Sequence, residues 1–265
     1  CRAAGIHGRG RPNKNKTDRA LIFSEKECAA AGLFTTNQVT AAPVKLDIET
    51  VKGGKARAIA ANSGNANACT PDCDENAAKM QAAAAAVLGI PAVETLVSST
   101  GVIGQRLNIA AIGEGLPKAA KLLEHSPQGS DAAATAIMTT DTKKKELACV
   151  FAVGGAEVTL GGIAKGSGMI HPNMGTMLCY LTTDCAISPE MLKKALKTAC
   201  GVTFNRISVD GDTSTNDSLI ILANGLAGNP EIVSEGEDFM TFTAALTELC
   251  TEMARKMAAD GEGAR

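Results

Sequence analysis

At 265 residues, 45% of them hydrophobic and 20% charged, the sequence is long enough to bury a sizeable core and too apolar for intrinsic disorder. Its net charge of −2 gives no electrostatic reason to expect nucleic acid or a membrane surface, and 3% aromatic content without Trp weakens any stacking-based recognition of bases or sugars. No apolar run reaches membrane-spanning length, since the longest, residues 78–90, is broken by Lys79 and Gln81 and reads as a packed alanine-rich helix.

Nine cysteines, an odd number spread through predicted helices and strands, favour reduced thiols in a cytoplasmic compartment over a disulfide framework. No secretory signal is visible in a sequence that starts at Cys1. Cys69 and Cys73 have the closeness of half a metal site, but His7, His125 and His171 lie far off in sequence, so no metal is expected.

In chain order, residues 2–19 are basic and turn-rich, with Arg2, Arg9, Arg11, Lys14, Lys16 and Arg19. They read as a solvated loop leading into a strand at 20–23, with phosphate binding as the alternative. Residues 33–36 predict a short strand, and 56–61 a second one that runs into the turn-forming Asn62-Ser63-Gly64-Asn65-Ala66-Asn67. A helix is predicted at 74–88, with acidic residues in its first turn. The strand at 94–99 stops at Thr100-Gly101-Val102-Ile103-Gly104, where small residues leave backbone N–H groups for an oxyanion or phosphate.

Helical patterns follow at 109–123 and 131–138. The segments 146–153 and 156–160 predict a hairpin through Gly154-Gly155. Lys165 precedes Gly166, so the order of a phosphate-binding P-loop is absent. Thr176 opens the apolar run Met177-Leu178-Cys179-Tyr180-Leu181 after a glycine-bearing approach. That pattern fits either ordinary strand propensity or a displayed nucleophile. A helix at 189–200 takes Ser188 as its cap, 203–209 and 219–223 predict strands, and 239–259 a long helix before Asp260-Gly261-Glu262-Gly263. The acidic run at 210–217 reads as a polar turn, with an oxygen-ligand site for Mg²⁺ or Ca²⁺ as the alternative. Short strands alternating with helices argue for an α/β or α+β architecture with largely antiparallel pairing.

Six collinear motifs carry a family likeness. They are Phe34-Thr35-Thr36-Asn37 with Ala41-Ala42-Pro43, the asparagine run at 61–67, Ser98-Ser99-Thr100-Gly101-Val102-Ile103-Gly104, Lys165-Gly166-Ser167-Gly168-Met169-Ile170, Pro172-Asn173-Met174 with Thr176-Met177-Leu178, and residues 210–218. In this combination the sequence closely resembles the ornithine acetyltransferase family of arginine biosynthesis.

That resemblance implies a four-layer αββα sandwich, one large domain whose precursor cleaves itself between Gly175 and Thr176 into an α-chain part, 1–175, and the start of a β-chain, 176–265. It implies Thr176 as nucleophile, Thr100 and Gly101 as the oxyanion hole, and Thr139, Lys165, Thr176 and Glu262 as substrate-binding residues. The activity implied is transfer of acetyl from N-acetylornithine to glutamate by a ping-pong route, without a cofactor, with acetyl-CoA as a conceivable further donor. An α2β2 heterotetramer of cleaved chains in the cytoplasm is implied as well, with no nucleic-acid or membrane partner. Two departures stand out: the family usually has Ala where Gly175 stands, and its C-terminal portion, which supplies an Asn and a Ser or Thr to the pocket, is absent from this sequence. A related-fold amide or peptide hydrolase with the same nucleophile, or a truncated non-catalytic relative, are the alternatives.

Overall fold

The computed structural model describes residues 1–7, 17–171 and 177–263. Among the described residues there are eight strands: β1 (Arg2–His7), β2 (Thr17–Phe34), β3 (Lys55–Asn65), β4 (Thr95–Val102), β5 (Lys145–Val153), β6 (Ala156–Lys165), β7 (Leu178–Thr183) and β8 (Ser218–Ala223). Six helices accompany them: α1 (Ala42–Val51), α2 (Cys73–Leu88), α3 (Ile109–Lys121), α4 (Pro127–Ile137), α5 (Pro189–Val202) and α6 (Glu237–Ala259).

All strands belong to one sheet in the order β4-β3-β2-β8-β7-β6-β5, with β1 paired to the first part of β2. Only β3 with β4 and β7 with β8 run parallel; every other pairing is antiparallel. The β5–β6 hairpin turns at Gly154 and Gly155, whose φ values of 55° and 79° fit the primed turns that match strand twist.

The long strand β2 makes this sheet a sandwich. Its first part pairs with β3 and its last part with β8, and between them residues 24–27 face only residue 57 across the register shift. In a straight strand, residues 19 to 34 would span about 50 Å. Here Arg19 pairs with Asn62, near the end of β3, while Thr35 accompanies Asp217, and the neighbouring Asn216 side chain donates to the carbonyls of Ala66 (2.7 Å) and Ser99 (2.9 Å). Both ends of β2 therefore meet one region, so the strand folds over at its bulge.

Side-chain alternation then assigns the layers. Even positions Ala20, Ile22, Cys28 and Ala30 of β2 face an inner core shared with Ile59 and Leu96 of one half-sheet, Tyr180 and Ile220 of the other, and Ile137 of α4. On the outer face, Leu21 joins Met80, Val97 and Leu116 beneath α2 and α3, and Ala31 joins the core beneath α5 and α6. The order helix, sheet, sheet, helix is the αββα arrangement that the resemblance implies.

Most helices obey local rules. Asp74 and Glu75 occupy the first turn of α2, which ends on left-handed Gly89, and Ser188 caps α5 by accepting from the Met191 N–H at 3.3 Å.

Three local expectations need correction. Residues 203–209 form no strand: Thr203 donates its hydroxyl to the Ala199 carbonyl at 2.7 Å, and a 3₁₀ turn, Phe204–Arg206, buries Phe204 against α5, keeping the backbone bonds local. The N-terminal loop is in part a strand, since residues 2–7 pair with β2. The separate strands expected at 20–23 and 33–36 are the two ends of one strand. Helix α1 was not anticipated, because Val44, Ile48 and Val51 carry strand propensity that its tertiary packing overrides.

Candidate active site

The folded sheet brings strand ends together. Five steps of the strand order separate β4 from β6, about 24 Å in a flat sheet. Yet Thr100 and Gly101 at the end of β4 and Lys165 at the end of β6 line one cleft of about 570 Å³, together with Thr139 and Glu262. Five of the expected site residues, drawn from four distant segments, thus converge. Gly175 and Thr176 lie outside the described residues, as do Pro172, Asn173 and Met174 and the basic positions 9, 11, 14 and 16.

Gly101 sits opposite Gly64 in the β3–β4 register, with φ +131°. A Cβ there would fall 2.3 Å from the Gly64 carbonyl carbon and 2.6 Å from the Asn65 nitrogen, so only glycine lets these backbones approach. Asn62 accepts the Ser99 hydroxyl at 2.6 Å, and Asn65 donates to the Gln105 carbonyl at 3.0 Å. The asparagine run thereby fixes the loops around Thr100; its first part continues β3 instead of turning.

Lys165 is 3% exposed and donates to the Thr139 hydroxyl at 3.3 Å. Next to it, the Gly166 N–H donates to Asp141 Oδ1 at 2.7 Å, and the Thr139 N–H to Asp141 Oδ2 at 3.1 Å. Burial opposes the charge of Asp141, but Lys165 and Lys145 outweigh it and hold the carboxyl below its ordinary range. Glu262 follows α6, its N–H donating to the Ser167 carbonyl at 2.7 Å. Its carboxyl rests against Gly168, where a Cβ would come within 2.7 Å of it. The cleft therefore presents a buried cation and an exposed carboxylate together, the two charges needed to hold a zwitterion by both ends.

The chain re-emerges at Met177, the residue that follows Thr176. Its N–H donates to Asp217 Oδ1 at 3.0 Å and its carbonyl accepts from the Ser218 N–H at 3.0 Å. Asp217 is 0% exposed, and its Oδ2 has no hydrogen-bond partner among the described residues. Burial pushes its pKa up to about 8, against the lowering pull of the Met177 N–H.

On the approach side, exposed Asp210 accepts from the N–H groups of Met169 and Ile170, which tethers the glycine-bearing segment. The acidic run thus splits in use: Asp210 ties down a loop, Asp212 is exposed, and Asp217 is buried beneath β7. His171 and His125 are exposed; Cys69 is exposed and Cys73 half-buried. Among the described residues no helix is long and apolar enough to cross a membrane.

Sequence reasoning passed over Lys145, Asp141 and Asp217. Lys145 closes a basic triplet but also opens β5, and that change of pattern was the available signal.

Fold and cleft define the chain as an αββα sandwich with a two-charge cleft where its half-sheets converge. It belongs to the ArgJ family, whose model matches residues 2–265. It is 49% identical over 262 residues to the arginine biosynthesis bifunctional protein ArgJ of Symbiobacterium thermophilum, covering 98% of this chain and 64% of that relative. It is 50% identical over 248 residues to the glutamate N-acetyltransferase of Methanocaldococcus jannaschii, covering 92% of this chain and 60% of the relative. The chain thus spans less than two thirds of the length of both. Among solved structures, the ornithine acetyltransferase of Mycobacterium tuberculosis in complex with ornithine matches with a TM-score of 0.58 at 33% identity, over 67% of this chain and 92% of that one.

Proposed function

We propose that this chain belongs to an acetyltransferase that moves acetyl from N-acetylornithine to glutamate through Thr176, exposed by self-cleavage after Gly175. The observation that carries this reading is the convergence of Thr100, Gly101, Thr139, Lys165 and Glu262 on one cleft, with the chain pinned at Met177 directly after Thr176. Family membership and the relative named as a glutamate N-acetyltransferase support it.

In the precursor, the Thr176 hydroxyl attacks the Gly175 carbonyl carbon. The C–N bond breaks, the hydroxyl proton ends on the Thr176 nitrogen, and water hydrolyses the resulting ester to leave a Gly175 carboxylate. The freed α-amine then serves as base for its own hydroxyl. Attack on N-acetylornithine forms an acetyl ester on Thr176 and releases ornithine, which takes the proton. The amine of glutamate then attacks the ester and restores the hydroxyl. The Thr100 hydroxyl and Gly101 N–H stabilise the oxyanion of each step, a contact worth about 3 kcal/mol apiece. Lys165 takes the substrate α-carboxylate and Glu262 its ammonium.

Acetyl-CoA as a further donor, cytoplasmic location and an α2β2 assembly of cleaved chains are parts of the same proposal. The purified protein is to be assayed for N-acetylglutamate formed from N-acetylornithine and glutamate. Formation of N-acetylglutamate equal to the ornithine released supports transfer. Release of acetate alone would favour a hydrolase with the same nucleophile.

A further inference from the structure

The basic triplet at 143–145 has two exposed members and one, Lys145, that is completely buried. The Lys145 ammonium donates to Asp141 Oδ1 at 2.8 Å, to Asp260 Oδ2 at 2.6 Å and to the Lys143 carbonyl at 3.2 Å. An ammonium has three protons, so these bonds saturate it and leave nothing for a ligand. The two carboxylates it neutralises tie together three pieces of chain, residues 139–145, the end of β6 at 165–166, and the end of α6 at 260–262. Asp141 holds the amides of Thr139 and Gly166. Asp260, at the end of α6, accepts from the N–H groups of Thr142 and Lys143 and from the Thr142 hydroxyl.

These three pieces carry polar groups of the cleft: Thr139 opens the first, Lys165 adjoins Gly166, and Glu262 lies two residues beyond Asp260. A second layer closes the set, with the Glu262 N–H on the Ser167 carbonyl and the Ser167 hydroxyl 2.8 Å from that of Thr140. Stability alone is a poor reason for such a cluster, since buried ion triads are often no more stable than apolar replacements of the same volume. Its return is geometric, because one cation fixes the relative positions of three segments far apart in sequence.

We propose that Lys145, through Asp141 and Asp260, is a positioning residue that sets the spacing between Lys165 and Glu262, and hence the grip on a zwitterionic amino-acid substrate. The inference rests on the substrate roles given to Lys165 and Glu262 above. Burial works against the charge of Asp260, but Lys145, the Thr142 hydroxyl and the Lys143 N–H outweigh it and draw its pKa down to about 2, so the cluster stays ionised at neutral pH.

Two variants test it, Lys145→Met and the shape-conserving Asp260→Asn, which keeps the test decisive where the first does not fold. In Asp260→Asn, KM for N-acetylornithine is expected to rise about tenfold or more while kcat changes less than about threefold, the split of a lost binding interaction. Cleavage before Thr176 should persist. In hydrogen exchange, the amides of Thr142, Gly166 and Glu262 should speed up together, with those of α2 and α3 unchanged. A fall in kcat at unchanged KM, or faster exchange at Thr142 with Gly166 and Glu262 unaffected, would overturn the proposal. Absence of acetyl transfer by the wild-type protein would instead sink the substrate reading, and the exchange pattern would still decide whether Lys145 couples the three segments.

Discussion

Asp141 and Asp260 are buried around Lys145 and keep their charge, whereas Asp217, buried behind the opposite wall of the same cleft, holds one backbone N–H and is driven toward its neutral form. Asp47 resembles Asp217: wholly buried, it accepts the Val97 N–H at 2.8 Å, and burial raises its pKa well above the ordinary range. Burial opposes ionisation in all four, and the two that stay ionised are the two in direct contact with an ammonium, that of Lys145. Around Lys145 the molecule has fixed charges that set distances between segments. Beside Met177, the residue that follows Thr176 in the chain, it has a carboxyl able to hold a proton at neutral pH.

The sharpest way to break this contrast is to remove the cation. Lys145→Met leaves Asp260 without its cation and Asp141 with Lys165 alone, and is expected to destabilise the protein by about 3–5 kcal/mol, read from urea unfolding. A loss below about 1 kcal/mol would mean that the cluster is not charged as described.

Acid should weaken the same region in wild type. Asp260 has a folded pKa of about 2 against an ordinary value of 3.8, so its contribution is present above the ordinary value and fades as the pH falls toward 2. The loss is on the order of 2 kcal/mol, and Asp260→Asn should flatten that limb of a stability-versus-pH curve.

Asp217 should act with the opposite sign. A carboxyl whose folded pKa of about 8 exceeds its unfolded value takes up a proton on folding, so its contribution to stability declines as the pH climbs from the unfolded value, 3.8, to about 8. Asp217→Asn cannot lose that proton. Its melting temperature relative to wild type should rise across this window, by the equivalent of at least about 1 kcal/mol. A parallel pair of curves would show that Asp217 is ionised in the folded protein.

The two regions also differ in how far they could be read from the sequence. Thr100, Gly101 and Lys165 stand in motifs with a fixed order, Thr139 and Glu262 come with the resemblance those motifs carry, and the structure brings all five to one cleft. Helices α2, α3, α5 and α6 and the hairpin at Gly154-Gly155 were legible because periodicity and turn chemistry are local. Lys145 and Asp217 were not. Each sits in a run of like charges, the pattern of a solvated surface, and only contacts made across the fold, from Asp260 to Lys145 and from Met177 to Asp217, bury them. The fold-over of β2 was hidden for a similar reason: residues 24–27 look like an ordinary polar interruption until β3 and β8 claim the two ends of the strand.

Every role assigned to the cleft depends on Thr176 becoming an amino terminus. The direct measurement is denaturing mass spectrometry with N-terminal sequencing on freshly purified wild-type and Thr176→Ala protein. The expected result is a wild-type fragment that begins at Thr176, paired with one that ends at Gly175, and an intact Thr176→Ala chain. An uncleaved wild-type chain, or a Thr176→Ala chain cut at the same bond, would contradict self-cleavage by Thr176.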